Sequence, residues 1–426
     1  MSKNNERLAI FGGNKAIKKE FPEYNSLGQE ELEATIEVIN SGVLSKYLAA
    51  WHGDFYGGPR VKKLEKSICE MFDVNYAISV NSWTSGLITA VGALNIEPGD
   101  EIIVTPWTMS ASAMAILHWN AIPIFADIDP LTFNIDLRSI EENLSEKTKA
   151  IMSVDIFGQS ADIDGINKIA KENDLYVISD TAQSPYAKYN GKYAGTLSDI
   201  GGFSLNYHKH IHSGEGGIIL TNNSDYAERM QLIRNHAESV VEGKKVTSIN
   251  NMIGYNFRMG EIEAAISFFQ FKKLPALAEK RTELGLQLTD RLQNLEGLET
   301  PLILEGNTHV FYVYPLILDI SSLGVNRDTI IDALTAEGVP GLMSGYQNIH
   351  LLPIFQKKIA YGNNHFPWSI NSSRQITYEK GICPVAEELH EETFIGINFC
   401  MYDLDDEAVE LIASAFAKVW ANLNNL

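Results

Sequence analysis

Seven short apolar runs punctuate the middle of this chain, and few folds accept such a rhythm. They occupy residues 76–80, 101–105, 122–126, 150–154, 175–179, 199–204 and 217–221, and helical patterns separate most of the first five. This is the signature of an α/β protein built on a mostly parallel sheet with helices on both faces. In such sheets ligands bind beyond the carboxyl ends of the strands. The residues that follow the runs are therefore the candidates for chemistry.

Between the last two runs, residues 204–217 read Ser-Leu-Asn-Tyr-His-Lys-His-Ile-His-Ser-Gly-Glu-Gly-Gly. Lys209 is thus expected on a turn between buried strands, where partial desolvation disfavours its ammonium form. A lysine so held can act as a nucleophilic amine and form a Schiff base. The glycines that follow would let backbone approach a flat ligand. An ordinary solvated turn lysine fits the segment too, since long cations stay in water. His208, His210 and His212 would share one face of a strand, but no acidic or cysteine partner accompanies them as in a metal site.

The other strand ends are equally pointed. Residues 81–86, Asn-Ser-Trp-Thr-Ser-Gly, open a helix whose free N–H groups suit a phosphate, or form a plain N-cap. Trp107 follows the second run and either covers the core or faces a ligand. Asp180 follows the fifth run, where a buried carboxylate needs a cationic partner unless it caps a helix. Residues 254–258, Gly-Tyr-Asn-Phe-Arg, read as a turn with Asn256 at its centre.

From about residue 41 to 388 these stretches, in this order, resemble the DegT/DnrJ/EryC1/StrS family of sugar aminotransferases that depend on pyridoxal 5'-phosphate (PLP). Phe203-Ser204, Lys209 and residues 214–217 match the family's lysine motif. The resemblance implies fold type I: a large lobe with a mostly parallel seven-stranded sheet between helices, plus a smaller C-terminal α/β lobe. It gives Lys209 and Asp180 catalytic roles, as Schiff-base lysine and partner of the pyridinium nitrogen. Thr84, Ser85 and Ser204 join the cofactor contacts, with Trp107 stacked on the ring and Gln183 bonded to the phenolic oxygen. Asn256 reaches the phosphate from a neighbouring subunit, which implies a homodimer with shared active sites. Two positions depart from the pattern: Trp83 stands where glycine is usual, and Asp155 where histidine is more frequent.

The 426 residues suffice for two lobes, expected as an arm over 1–28, a large PLP-binding domain over 29–270 and a small domain over 271–426. The loop at 45–58, aromatic and glycine-rich, reads as a lid or a packed surface loop, and residues 346–384 as a substrate entrance or a crossover. A formal charge of −20 argues against a nucleic-acid partner. The absence of a run of ~18 apolar residues argues against a membrane span. Cys69, Cys383 and Cys400 lack metal spacing and suit a reducing cytoplasm.

The expected activity is transfer of an amino group from L-glutamate or L-glutamine to a keto-sugar acceptor, of the nucleotide-linked kind favoured by most of the family. A free keto-cyclitol is the alternative, because residues 8–13 and 21–24 look more like that branch. A sugar dehydratase is a rival of another class, but that branch carries histidine at the lysine position. A non-catalytic regulatory relative is the other rival.

Overall fold

The computed structural model describes residues 7–371 and 374–426. Each of the seven apolar runs is a strand of one sheet: β1 (Tyr76–Val80), β2 (Glu101–Val104), β3 (Ile122–Phe125), β4 (Thr148–Val154), β5 (Tyr176–Asp180), β6 (Ile200–Ser204) and β7 (Gly217–Thr221). Their order is β1-β7-β6-β5-β4-β2-β3, and β7 alone among them runs against its neighbours. Residues such as Ile102, Ile103, Ile151, Met152 and Ile178 are fully buried, because helices cover both faces of the sheet.

The helices begin and end where their caps allow. The apolar faces of α1 (Gln29–Ser41) and α2 (Pro59–Phe72) bury Val38, Leu64 and Ile68, and Gly42 closes α1 at φ 71°. The next helix, α3 (Trp83–Ala93), starts at Ser82, whose Oγ accepts the Ser85 N–H at 3.1 Å. It is followed by α4 (Ala111–His118), α5 (Ile163–Glu172) and α6 (Ser224–Arg234). Then α7 (Glu261–Leu292) runs unbroken through residue 270. Its first half packs with α2 through Phe271 and Leu274, and its second half buries Leu288 and Leu292 in a separate core.

That second core belongs to a four-stranded antiparallel sheet of β8 (Leu298–Glu299), β9 (Tyr314–Leu318), β10 (Leu342–Ser344) and β11 (Phe394–Ile397), ordered β8-β9-β11-β10. Helices α8 (Arg327–Glu337) and α9 (Asp406–Trp420) cover it with Ile330, Leu334, Val409, Ile412 and Phe416. The chain's first described residues join the same core through Leu8 and Ile17. The buried Glu337 carboxylate accepts the Ala9 and Ala16 N–H groups at 2.8 Å each and the Lys418 ammonium at 2.8 Å.

Two segments left open by the sequence take definite places. Residues 45–58 form a packed surface loop, with Phe55 buried and Asn235 Nδ2 donating to the carbonyls of Leu48 at 2.9 Å and Phe55 at 3.1 Å. From residue 349 onward, Ile349, Phe355, Trp368 and Tyr378 are buried in the large-lobe core, and Tyr378 donates to the Pro123 carbonyl at 2.8 Å. The segment is mainly a strap across the β3 side of the sheet; residues 372–373 within it lie outside the described residues. Among the described residues no helix is long and apolar enough to cross a membrane.

Candidate active site

A cavity of ≈ 230 Å³ opens at the carboxyl ends of β1, β4, β5 and β6. Five of the eight cofactor contacts implied by the resemblance lie on its wall: Thr84, Asp180, Gln183, Ser204 and Lys209. The topology brings them together because parallel strands end on one edge, whatever their separation in sequence.

Lys209 occupies the turn between β6 and β7, its N–H donating to the Asn206 carbonyl at 3.0 Å. The side chain is buried, and its Nζ lies 4.3 Å from the centroid of the Tyr312 ring. Burial lowers its pKa from 10.5 to about 8, against the opposing pull of the Asp180 carboxylate and of Cys400. The amine is thus partly free near neutral pH. A ring beneath it steadies the cation without accepting its proton.

Asp180, the last residue of β5, is also buried. Burial raises its pKa, while hydrogen bonds from Ser112 and Trp83, the Ala182 N–H and the charge of Lys209 work to keep it ionised. Ser112 Oγ donates to Oδ2 at 2.8 Å, and the Trp83 indole N–H donates to Oδ1 at 2.6 Å. Gln183 Oε1 accepts the Phe157 N–H at 2.9 Å, which turns its Nε2 donor toward the Tyr346 hydroxyl at 3.3 Å on the cavity wall.

Two expected contacts, Trp107 and Ser85, fall elsewhere. Trp107 does not reach the cavity. It is fully buried, donates to Asn348 Oδ1 at 2.8 Å and lies parallel to Phe133 with ring centroids 6.0 Å apart. Two residues further on, Met109 lines the wall instead. Ser85 turns into the helix cap, its Oγ 2.9 Å from that of Ser82, leaving Thr84 as the exposed hydroxyl at the start of α3. Asn256, expected to serve a neighbouring subunit's site, is exposed and outside its own chain's cavity, with its Oδ1 accepting from Arg258 Nε at 2.7 Å.

The sequence also passed over Ser112, Tyr312 and Tyr346, which arrive from α4 and from the small-lobe side. An aromatic or hydroxyl residue in a region without a motif carries no signal of its own. Asp155 points inward, its carboxylate accepting from Thr181 Oγ1 at 2.6 Å and the Ala161 N–H at 2.9 Å. Burial pushes it up to about 6. The three histidines diverge: His208 lines the cavity, the His210 ring lies 2.8 Å from the Val310 carbonyl, and His212 accepts the Gly214 N–H at 3.3 Å.

The wall suits pyridoxal phosphate. It combines a helix N-terminus bearing Thr84, a buried carboxylate, a lysine poised between its protonation states and Asn206 Oδ1, a buried acceptor without a donor among the described residues. Thr84 would hold the phosphate, Asp180 the ring nitrogen, Gln183 the phenolic oxygen and Lys209 the aldehyde carbon.

The model of the DegT/DnrJ/EryC1/StrS aminotransferase family matches residues 39–397. The chain is 34% identical to a GDP-perosamine synthase of Caulobacter vibrioides over 297 residues, 70% of this chain and 78% of the relative. It is 28% identical over 442 aligned positions, 99% of both chains, to a putative L-glutamine:3-amino-2,3-dideoxy-scyllo-inosose aminotransferase of Streptomyces kanamyceticus. Helicobacter pylori PseC, an aminotransferase involved in pseudoaminic acid biosynthesis, has a similar structure with a TM-score of 0.77 at 28% identity, covering 95% of this chain and 100% of PseC. A GDP-4-keto-6-deoxymannose-3-dehydratase with a trapped PLP–glutamate adduct gives 0.75 at 25% identity, over 92% and 99%. The chain belongs to the DegT/DnrJ/EryC1/StrS family of sugar aminotransferases, enzymes of fold type I that depend on pyridoxal phosphate.

Proposed function

We propose that this aminotransferase carries an amino group from L-glutamate or L-glutamine to a nucleotide-linked keto-sugar, in amino-sugar or surface-polysaccharide synthesis. The observation that carries the catalytic part is the shared wall of Lys209 and Asp180: a partly neutral amine and a carboxylate held by donors line one cavity. When bound, pyridoxal phosphate supplies an electron-withdrawing ring that makes the α-proton of an attached amine acidic. Asp180, whose charge the Ser112 and Trp83 donors favour, would hold the ring nitrogen protonated. Lys209 would be the residue that holds the aldehyde carbon when no amino donor is bound. Its freed Nζ would be the group that carries the donor's α-proton, with the Tyr312 ring 4.3 Å away to stabilise the ammonium so formed. On the acceptor the same lysine runs the proton transfer in reverse.

The nucleotide-linked acceptor is supported by the 34% identity to a GDP-perosamine synthase. A free keto-cyclitol is the second reading, supported by end-to-end alignment with the scyllo-inosose relative. A parallel assay decides: nucleotide keto-sugars and cyclitol ketones, each with glutamate and glutamine, followed by mass spectrometry of the amine formed. We expect product from the nucleotide-linked ketones; product from the cyclitol ketones alone would reverse the assignment. The dehydratase reading is disfavoured by Lys209. Cys69, Cys383 and Cys400 are unpaired thiols, which suits a reducing cytoplasm.

The working unit in this reading is a homodimer that shares its sites. Supporting it are Asn256, exposed and outside its own chain's cavity, and exposed apolar side chains nearby in sequence at Ile249 and Ile253. Leu32, Ile36 and Ile39 form a further exposed stripe along α1. A hybrid of Lys209→Ala and Asn256→Asp chains would then hold one doubly damaged site and one intact site. Mixing the two impaired homodimers is expected to restore activity as subunits exchange. No recovery in hybrids verified by native mass spectrometry would assign both residues to one subunit's site.

A further inference from the structure

We propose that Trp83 is a positioning residue whose indole N–H holds the Asp180 carboxylate charged and oriented toward the cofactor ring. The inference rests on the role given to Asp180 above. Trp83 is the first residue of α3, is 5% exposed and lines the cavity. Its N–H lies 2.6 Å from Asp180 Oδ1, which also accepts the Ala182 N–H at 3.3 Å, while Ser112 serves Oδ2. With Oδ1 engaged twice, the carboxylate is held against rotation about its last bond.

The indole is keyed into its seat from two directions. A Cβ at Gly86, on the same helix, would stand 2.6 Å from Trp83 Cε3. One at Gly202, on β6, would stand 2.4 Å from Cζ3 and Cη2. Glycine at both positions makes room for the ring, and the close fit keeps it from swinging away from Asp180. Tryptophan is a donor only, so this contact favours the ionised carboxylate at any pH.

Other charged and titratable groups also act on Asp180: Lys209, which favours its charge, and Asp155 and Tyr346, with which it is electrostatically coupled. Burial presses the other way and would leave an unassisted carboxyl neutral over a wider pH range. A neutral carboxyl cannot hold the ring nitrogen protonated. The indole is therefore a local counterweight to desolvation.

The test is equilibrium dialysis of the apoprotein with pyridoxal phosphate across pH, for Trp83→Phe and for the same change in an Asp180→Asn background. Phe keeps an aromatic ring and removes the donor. Losing one hydrogen bond to a charged group is expected to weaken binding roughly tenfold, with the deficit growing as pH falls. In the Asp180→Asn background the same change should add no pH-dependent loss. Wild-type affinity and pH profile in Trp83→Phe, or an equal loss in both backgrounds, overturns the proposal. Full activity of Asp180→Asn by itself would instead refute the reading of Asp180. Biosynthetic fluorotryptophan keeps the packing and strengthens the donor, so it decides even if Trp83→Phe does not fold. With fluorotryptophan the acidic limb of binding should move to lower pH in the parent protein and stay put in Asp180→Asn; no movement in the parent overturns the proposal.

Discussion

Lys209→Ala is expected to lose at least about four orders of magnitude in turnover, because one side chain serves both as covalent anchor and as proton carrier. Cofactor should still bind without a covalent link, through Thr84 and Asp180. Borohydride treatment of the loaded parent enzyme should leave its label on Lys209, and a peptide map with the label on another lysine would sink the assignment. A second readout needs no cofactor. With its pKa lowered from 10.5 to about 8, the buried lysine takes up its proton less readily folded than unfolded. Its contribution is therefore a destabilisation, fully present below pH 8 and gone above 10.5, of roughly 3 kcal/mol at most. Lys209→Met, close in length, should raise the apoprotein's melting temperature at pH 7, and the advantage should shrink as pH rises from 8 to 10.5. A variant less stable than the parent at pH 7 would contradict the buried-amine picture.

Asp180→Asn is expected to keep its fold while losing about 10²- to 10⁴-fold in turnover, since an amide cannot hold the ring nitrogen protonated. Asparagine retains an oxygen for the Trp83 donor, and its NH₂ can face the Ser112 hydroxyl. Because burial raises the pKa of Asp180, the folded state binds this proton more readily than the unfolded one. Its charge therefore costs stability above the folded-state pKa, and the cost disappears as pH falls below the unfolded value. The amide variant should melt no lower than the parent at pH 7. Circular dichroism melts beside half-transamination rates check both halves, and full turnover in a folded variant would remove Asp180 from the chemistry.

What could be seen in sequence was whatever depends on local pattern. The strands β1 to β7 were legible because burial on both faces leaves unbroken apolar runs, which placed Lys209 and Asp180 near strand ends, while their roles came from the family resemblance. Trp107 shows where pattern stops. That position and Met109 are both apolar and two apart, and what sends Trp107 inward is cover from Phe133 and from Asn348 and Phe394, more than two hundred residues further along the chain. Trp83 stood out as an oddity, yet its meaning lay in a partner 97 residues away. Asp155 likewise became intelligible through Thr181. The fate of residues 45–58 turned on Asn235, a side chain that no local reading connects with them.

The docking of the first described residues on the last core has a consequence for the order of events on the ribosome. Leu8 and Ile17 leave the exit tunnel more than three hundred residues ahead of Ile330, Leu334, Val409 and Phe416, with which they share a core. Tyr24, in the same early segment, donates to the carbonyl of His210, the residue after Lys209, at 2.7 Å. The seven-stranded sheet lies wholly within the first 221 residues and can form while the small lobe is still being synthesised. Tyr24 is itself held by the Met401 carbonyl at 3.0 Å, so the brace on the loop that carries Lys209, like the Tyr312 ring beside its Nζ, depends on small-lobe residues made after the sheet.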